Sequence, residues 1–273
     1  MNAGAHLLGI PQPTSYARAP SAVPGRAAAA RHRRHLATPA RRSPACRAAA
    51  LLSALLAGLV LACDPYVKGN GVLREETRQV GAFEGLRVED GIQAQLTAGA
   101  SAQHVTVSGD ENLLQHISTA VKADPLHGQV LEVRSTLSSF DSTHPIRVVV
   151  SVPVLRFLAA TDGCYVTASG AAADAFAVDA DDGADVRLGG TGGAELSVRL
   201  AGGQRGGAHL DAREYRVTDA SVDLSASARA ELRVDQRVTG TLSGAAQLEN
   251  VGAGACEVTA TADATVSCLS TPP

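Results

Sequence analysis

The sequence predicts an all-β protein whose mature part is a parallel β-helix built from coils of about 20 residues. Three observations predict it. Gly, Ala, Val, Thr, Ser and Asp are plentiful while Lys, Glu and Met are scarce, with 27 Gly against a single Met, a balance that favours short strands and turns over helix bundles. Apolar and polar residues alternate at a period of two along much of the chain, the spacing of a half-buried strand. The second half then repeats itself. A β-sandwich with strands at similar spacing is the alternative architecture.

At the start of the chain, residues 1–62 hold eight Arg, no Lys and no acidic residue. Ala48 to Ala62 reads AAALLSALLAGLVLA, behind the cationic cluster Arg31, Arg33, Arg34, Arg41, Arg42 and Arg47. A cationic segment followed by an apolar one is the order of a secretory signal peptide. The 15 apolar residues fall short of the roughly 20 that a permanent transmembrane helix needs. The run ends in Val60-Leu61-Ala62-Cys63, which resembles the lipobox of bacterial lipoproteins, with Leu61 where a small residue is more usual. That resemblance implies a diacylglyceryl thioether and an extra acyl chain on Cys63, enough together for stable anchoring. The alternative is an ordinary signal cut near Ala62, leaving Cys63 a thiol. Asp64 follows, and in some Gram-negative bacteria an Asp there retains lipoproteins in the inner membrane. The exported product is thus expected in the cell envelope, at the inner or outer membrane.

Without the leader, 16 basic side chains face 27 acidic ones, a net charge of about −11. Such a chain is repelled by phosphate backbones, so nucleic acid is excluded as a partner. Residues 63–71 are expected to be a tether. Strands are expected around Leu86-x-Val88, Ile92-x-Ala94-x-Leu96, Val105-x-Val107, Leu131-x-Val133 and Ile146-x-Val148-x-Val150-x-Val152. Only Asn112 to Val121 has helical spacing, enough for one or two turns. Beyond it, apolar-x-apolar triplets begin at Leu155, Phe176, Leu196, Tyr215, Leu232 and Cys256, separated by 21, 20, 19, 17 and 24 residues. Each leads into a turn of small residues and a second short strand, as in Asp185-Val186-Arg187-Leu188. Such a unit suits one β-helical coil, in which equivalent residues stack into ladders about 4.8 Å apart.

The opening Glu76-x-Arg78-x-Val80-x-x-Phe83-x-x-Leu86-x-Val88-x-x-Gly91-Ile92, followed by Val105-x-Val107-x-Gly109-Asp110-x-Asn112-Leu113-Leu114, resembles the head GIN domain family of auto-transporter adhesins. The repeats, such as DGADVRLGG, are similar to that family's degenerate coils. The resemblance covers about residues 72–266, and residues 72–270 are expected to form one such domain. It implies a right-handed parallel β-helix in the cell envelope and no known chemistry. Gln93 stands where the name-giving Asn would be, and Arg205-Gly206-Gly207 interrupts the coil pattern.

Candidate sites are few. Asp179, Asp181, Asp182 and Asp185 share one turn and are oxygen ligands of the kind Ca²⁺ takes, but their spacing matches no calcium loop, and Asp is also a good turn former. The mature histidines His104, His116, His127, His144 and His209 form no HExxH pair. No GxSxG elbow or phosphate-binding loop accompanies the glycines, so no cofactor is implied. Cys256 and Cys268 share parity with Val258 and Val266 and are placed to face each other across the last coil, either as a disulfide or as two buried thiols. Alternation sends Arg156, Arg199, Arg216 and Arg233 outward as a basic strip for an anionic glycan or lipid head group, unless nearby Asp residues merely offset them.

Two functions remain. The first is a non-catalytic, lipid-anchored module, adhesin-like or structural, that meets an envelope glycan, lipid head group or protein. The second is a β-helical polysaccharide lyase or hydrolase, disfavoured because the mature chain has no Trp and only seven Tyr or Phe to grip sugar. A depression lined by carboxylates and an Arg or Lys would favour the second, a flat face the first.

Overall fold

The computed structural model describes residues 66–170, 173–261 and 263–268. Cys63 and the expected signal peptide lie outside the described residues. In chain order the elements are β1 (Val67–Lys68), β2 (Leu73–Thr77), β3 (Gly85–Val88), β4 (Gln93–Ala98), β5 (His104–Asp110), α1 (Glu111–Leu114), β6 (Ile117–Asp124), β7 (Gly128–Ser135), β8 (Phe140–Asp141) and β9 (Arg147–Val152). There follow β10 (Phe157–Ala160), β11 (Tyr165–Gly170), β12 (Ala175–Ala180), β13 (Asp185–Thr191), β14 (Glu195–Leu200), β15 (Gly202–Gly203), β16 (Gly206–Gly207), β17 (His209–Leu224), β18 (Arg229–Leu242), β19 (Gln247–Asn250), β20 (Ala255–Ala260) and β21 (Thr265–Cys268). The fold is all-β apart from the single turn of α1, and 17 strands share one sheet.

Two stacks of parallel strands carry the core. The first runs β7, β3, β10, β12, β14, the second halves of β17 and β18, then β20. The second runs β9, β4, β11, β13, the first halves of β17 and β18, then β19 and β21. Ala175 lies beside Glu195, Glu195 beside Asp219, Asp219 beside Arg237 and Arg237 beside Ala255, so the chain advances 20, 24, 18 and 18 residues per coil. Leu86, Leu158, Val178, Val198 and Val222 stack in register inside, all buried.

A recurring turn joins the stacks. In Thr161–Cys164, Asp181–Ala184 and Ser225–Ala228 the fourth amide donates to the first carbonyl, and the second residue takes a positive φ of 58°, 44° and 57°. Asp tolerates that conformation, and a small fourth residue (Cys164, Ala184, Ala228) turns into the core. Burial pushes the lone Cys164 thiol up to about 12, leaving it unionised at neutral pH.

The N-terminal third is less regular than the alternation implied. After β4 the chain reverses, laying β5 antiparallel to β9, β2 antiparallel to β5, and β6 antiparallel to β7. These strands cap one end of both stacks. The expected helix shrinks to α1, because Ile117 already starts β6. Phe157 is not on an inward row. It registers with outward Ala177, while Leu158 takes the inward place. The triplets at Tyr215 and Leu232 likewise belong to the second stack and are not equivalent to those at Phe176 and Leu196, since β15 and β16 insert a hairpin that lengthens their coil.

The expected tether is docked from Val67 onward. β1 pairs with β8, Gly69 N donates to Asp141 O (2.7 Å), and Asn112 accepts from Asn70 N and donates to Lys68 O, both at 2.8 Å. A Cβ at Gly69 would overlap the Asp110 carboxylate beneath it. Asp110 is fully buried and accepts from Thr143 N (2.7 Å) and His144 Nδ1 (2.9 Å). Burial works to raise its pKa, but these hydrogen bonds outweigh it and hold the carboxyl below the ordinary carboxylate range. A depressed folded pKa contributes stability above the unfolded value near 4, and that stability is lost as pH falls through the folded value. Asp110→Asn is therefore expected to be less stable at neutral pH yet to lose less further stability on acidification. Urea midpoints taken from pH 6 to pH 2 check this, and parallel curves for the two proteins would reject it.

Candidate functional site

The outer face of the first stack carries two depressions. Its central outward row reads Gly85, Phe157, Ala177, Ser197, Ser221, Thr239, Glu257. Small side chains leave the face low between β12 and β18. One row over, Arg87, Ala159, Asp179, Arg199 and Asp223 stand in register. The β6–β7 hairpin folds over the cap end of this face. Its His127 ring stacks on Phe157, with centroids 3.7 Å apart and planes at 11°. Phe157 is thereby fully buried although it points outward.

Asp124 fixes the hairpin tip by accepting from Leu126 N (2.9 Å), His127 N (3.0 Å) and the His127 ring (3.1 Å). The Leu126 amide is the main reason its carboxyl sits below the ordinary range. Arg87 lies 3.5 Å from Asp124 and 5.9 Å from the centre of the Phe157 ring. The tip, Arg87 and Phe157 therefore form one packed wall.

Two depressions lie below this wall. One, of about 390 Å³, has a floor of Ala159, Ala160 and Ala180 and walls of Arg87, Glu89, Asp179, Asp181 and Arg199. The other, of about 380 Å³, lies at the opposite ends of β12 and β14, among Arg156, Ala177, Glu195, Ser197 and Asp219. In the first, burial raises the proton affinity of both Glu89 and Asp179. For Glu89 the neighbouring Glu132 and Asp90 add to that, while for Asp179 the nearby Arg199 partly offsets it. Carboxyls that hold protons more readily, beside guanidinium donors and above a low floor of small residues, offer a polyhydroxylated ligand donors and acceptors.

The structure divides the four arginines expected to form a strip. Arg216 and Arg233 are in register on the second stack, while Arg156 and Arg199 lie by the first. β17 shifts register between Val217 and Asp219, so residues of equal parity on either side of that corner do not share a face. Arg156 pairs with Glu84 (2.7 Å), Arg199 with Asp179 (3.5 Å) and Arg216 with Asp235 (2.6 Å). Among the described residues only Arg233 of the four lacks an acidic partner within 4.0 Å.

The four aspartates are dispersed too. Asp179 faces Arg199, Asp182 accepts from Arg205 N (2.6 Å), and Asp185 meets Arg187 and His209, each at 3.6 Å. Among the described residues no group of three carboxylate, imidazole or thiol side chains is placed to hold a metal. Sequence reasoning did not find Arg87 or Glu89, and named His127 without its role, because Phe157, Asp179 and Arg199 lie tens of residues away in the chain.

The model of the family described as "Putative auto-transporter adhesin, head GIN domain" matches residues 82–254. The chain belongs to this head GIN domain family. The match leaves out β2, with the Glu76 and Arg78 of the opening, and the last coil. Solved structures similar to this GIN domain include one described as a putative lipid binding protein from Parabacteroides distasonis, at 12% identity and TM-score 0.46, covering 75% of this chain and 100% of that one. Another is a putative adhesin from Parabacteroides merdae at 16% identity and TM-score 0.47, covering 75% and 99%. A third is a putative adhesin from Bacteroides fragilis at 12% and 0.46, covering 74% and 100%. No curated protein matches the chain.

In the last coil, beyond the matched residues, a disulfide joins Cys256 and Cys268, with their Cα atoms 6.4 Å apart. Non-reducing peptide mapping of the exported protein is expected to recover the two cysteines linked. The double variant Cys256→Ala/Cys268→Ala is expected to lose about 3 kcal/mol by urea unfolding, the contribution of closing a short loop. Recovery of both thiols free would overturn the pairing.

Proposed function

We propose that the chain is an exported lipoprotein of the bacterial envelope, held by lipid on Cys63, whose GIN domain is a right-handed parallel β-helix acting as a non-catalytic binding module. The parallel registers and coil advances of 18 to 24 residues support the β-helix. The ligand class we assign is an envelope glycan. The observation that carries this is the Arg87/Arg199 depression, whose alanine floor is flanked by paired carboxyls and guanidinium groups.

A second reading, a glycan-cleaving enzyme, is favoured by one feature of the same place. Glu89 and Asp179 both bind protons more readily than ordinary carboxyls, and acid catalysis needs such a group. The two readings separate on product formation.

Two experiments test the proposal. Cys63→Ala is expected to abolish labelling by radioactive fatty acid and to release the protein from membranes, and retained labelling would reject the anchor. For the ligand, binding of the mature protein to polysaccharide isolated from the envelope would be measured for Arg87→Ala, Arg199→Ala and the Arg216→Ala/Arg233→Ala control. Each of the first two removes a charge-assisted hydrogen-bond donor, worth about tenfold or more in affinity, while the control is expected to bind normally. Equal binding by all would reject the site. Release of new reducing ends, lost in Glu89→Gln and Asp179→Asn, would replace the module with the enzyme.

A further inference from the structure

We infer that the outermost edge of the cap, carrying Tyr66, Val72 and Leu73, seats directly on the surface of a lipid bilayer. This rests on the proposed lipid anchor at Cys63 and adds an orientation to it.

Six large apolar side chains are well exposed among the described residues, and three of them fall between positions 66 and 73. Tyr66 is 62% exposed, Val72 53% and Leu73 63%. Tyr66 is also the most exposed aromatic ring described. Leu73 opens β2, which among the described residues has β5 on one side and no strand on the other, at the end of the second stack opposite the last coil. An unpaired edge strand carrying exposed apolar side chains invites association unless something covers it.

Chain length limits what that cover is. Tyr66 is three positions along the chain from Cys63, so the two are at most about 10 Å apart when the chain is extended. The segment is not free to swing away, because Val67, Gly69 and Val72 are tied by main-chain pairing to β8 or α1, and Asn70 N donates to the Asn112 side chain. A Cys63 whose acyl chains lie in the membrane therefore holds this edge at the head groups.

The chemistry of the edge suits that position. Tyr at the water–lipid boundary places its ring at head-group level and its hydroxyl toward water. The charges around it leave no basic excess: Arg74 pairs with Glu111 (2.8 Å) and Glu76 (3.4 Å), Arg78 with Glu76 (3.0 Å), and Lys68 stands in register with Asp141. An apolar edge with no basic excess gains nothing from anionic lipid, so the seat is expected to form on zwitterionic membranes.

The test uses the lipidated mature protein, purified from membranes and reconstituted into phosphatidylcholine vesicles. Single cysteines, Tyr66→Cys, Leu73→Cys and Ala245→Cys, are labelled with a small fluorophore, the last marking an exposed corner of a late coil. Quenching by a nitroxide carried on the lipid is compared with quenching by aqueous iodide. At positions 66 and 73 the lipid quencher is expected to dominate by several-fold, and at 245 iodide alone. Adding anionic lipid is expected to strengthen neither lipid-side signal. Vesicle-bound protein with iodide-accessible labels at 66 and 73 would overturn the seat while leaving the anchor intact. Protection from both quenchers would assign the edge to a protein partner and also overturn it. A protein that carries no lipid and stays off the vesicles would overturn anchor and seat together.

Discussion

The interaction on which the rest depends is the main-chain hydrogen bond from one coil to its equivalent in the next. At the corner it recurs as an unbroken series: Asp185 N to Cys164 O, His209 N to Ala184 O, Arg229 N to Ala208 O, Gln247 N to Ala228 O and Thr265 N to Ala246 O, all between 2.8 and 3.0 Å. Each such bond fixes the register of a coil. Register in turn decides which side chains stack, because a shift by one residue would turn every core valine out to solvent. The small residues at the corners follow from the same constraint. Cys164, Ala184, Ala208, Ala228 and Ala246 fill the narrow inner angle where two strands meet.

Stacking equivalent residues at one strand spacing also stacks equivalent charges, which the domain offsets with flanking arginines. Along one outward row of the second stack, Arg187, Asp211, Glu231 and Glu249 are in register. Around Glu231, which is buried, stand Arg213, at 2.9 Å, and Arg229. The corner turns are the harder case. Asp90, Asp162 and Asp182 all take positive φ in successive turns, and for Asp162 burial and the carboxylates of Asp90, Asp182 and Asp181 raise the pKa while Arg205 opposes them. Arg205 sits at the tip of the β15–β16 hairpin, donates a main-chain bond to Asp182 and reaches the Asp162 carbonyl. What looks in the sequence like an interrupted repeat is thus a strap that brings a cation to an acidic corner.

The same stacking separates the places where the domain can act. The cap closes one end with antiparallel strands, and eight strands of the first stack rise away from it, a height of about 34 Å at one strand spacing each. The outer face carrying Arg87, Asp179 and Arg199 lies along that rise. Phe157 is spent on the wall of this face, under His127, so any ligand there meets alanines and charges in place of an aromatic platform.

The sequence by itself determined the all-β class, the repeat and the family. Each depends on local periodicity: Phe176/Val178 and Leu196/Val198 alternate visibly, and the opening motif is contiguous. Tertiary structure decided which residues are equivalent, and there the triplets misled. Tyr215 pairs with Gly190 rather than standing in line with Phe176, because the inserted hairpin changes coil length without disturbing alternation. It also decided that Phe157 faces outward, that residues 67–72 dock, and that Arg156 and Arg199 lie on a different stack from Arg216 and Arg233. The reason is common to all of these. Alternation reports only inside or outside along one strand, whereas the corners that turn a strand onto a new face, and the contact between β3 and a β10 far along the chain, are set by three-dimensional closure.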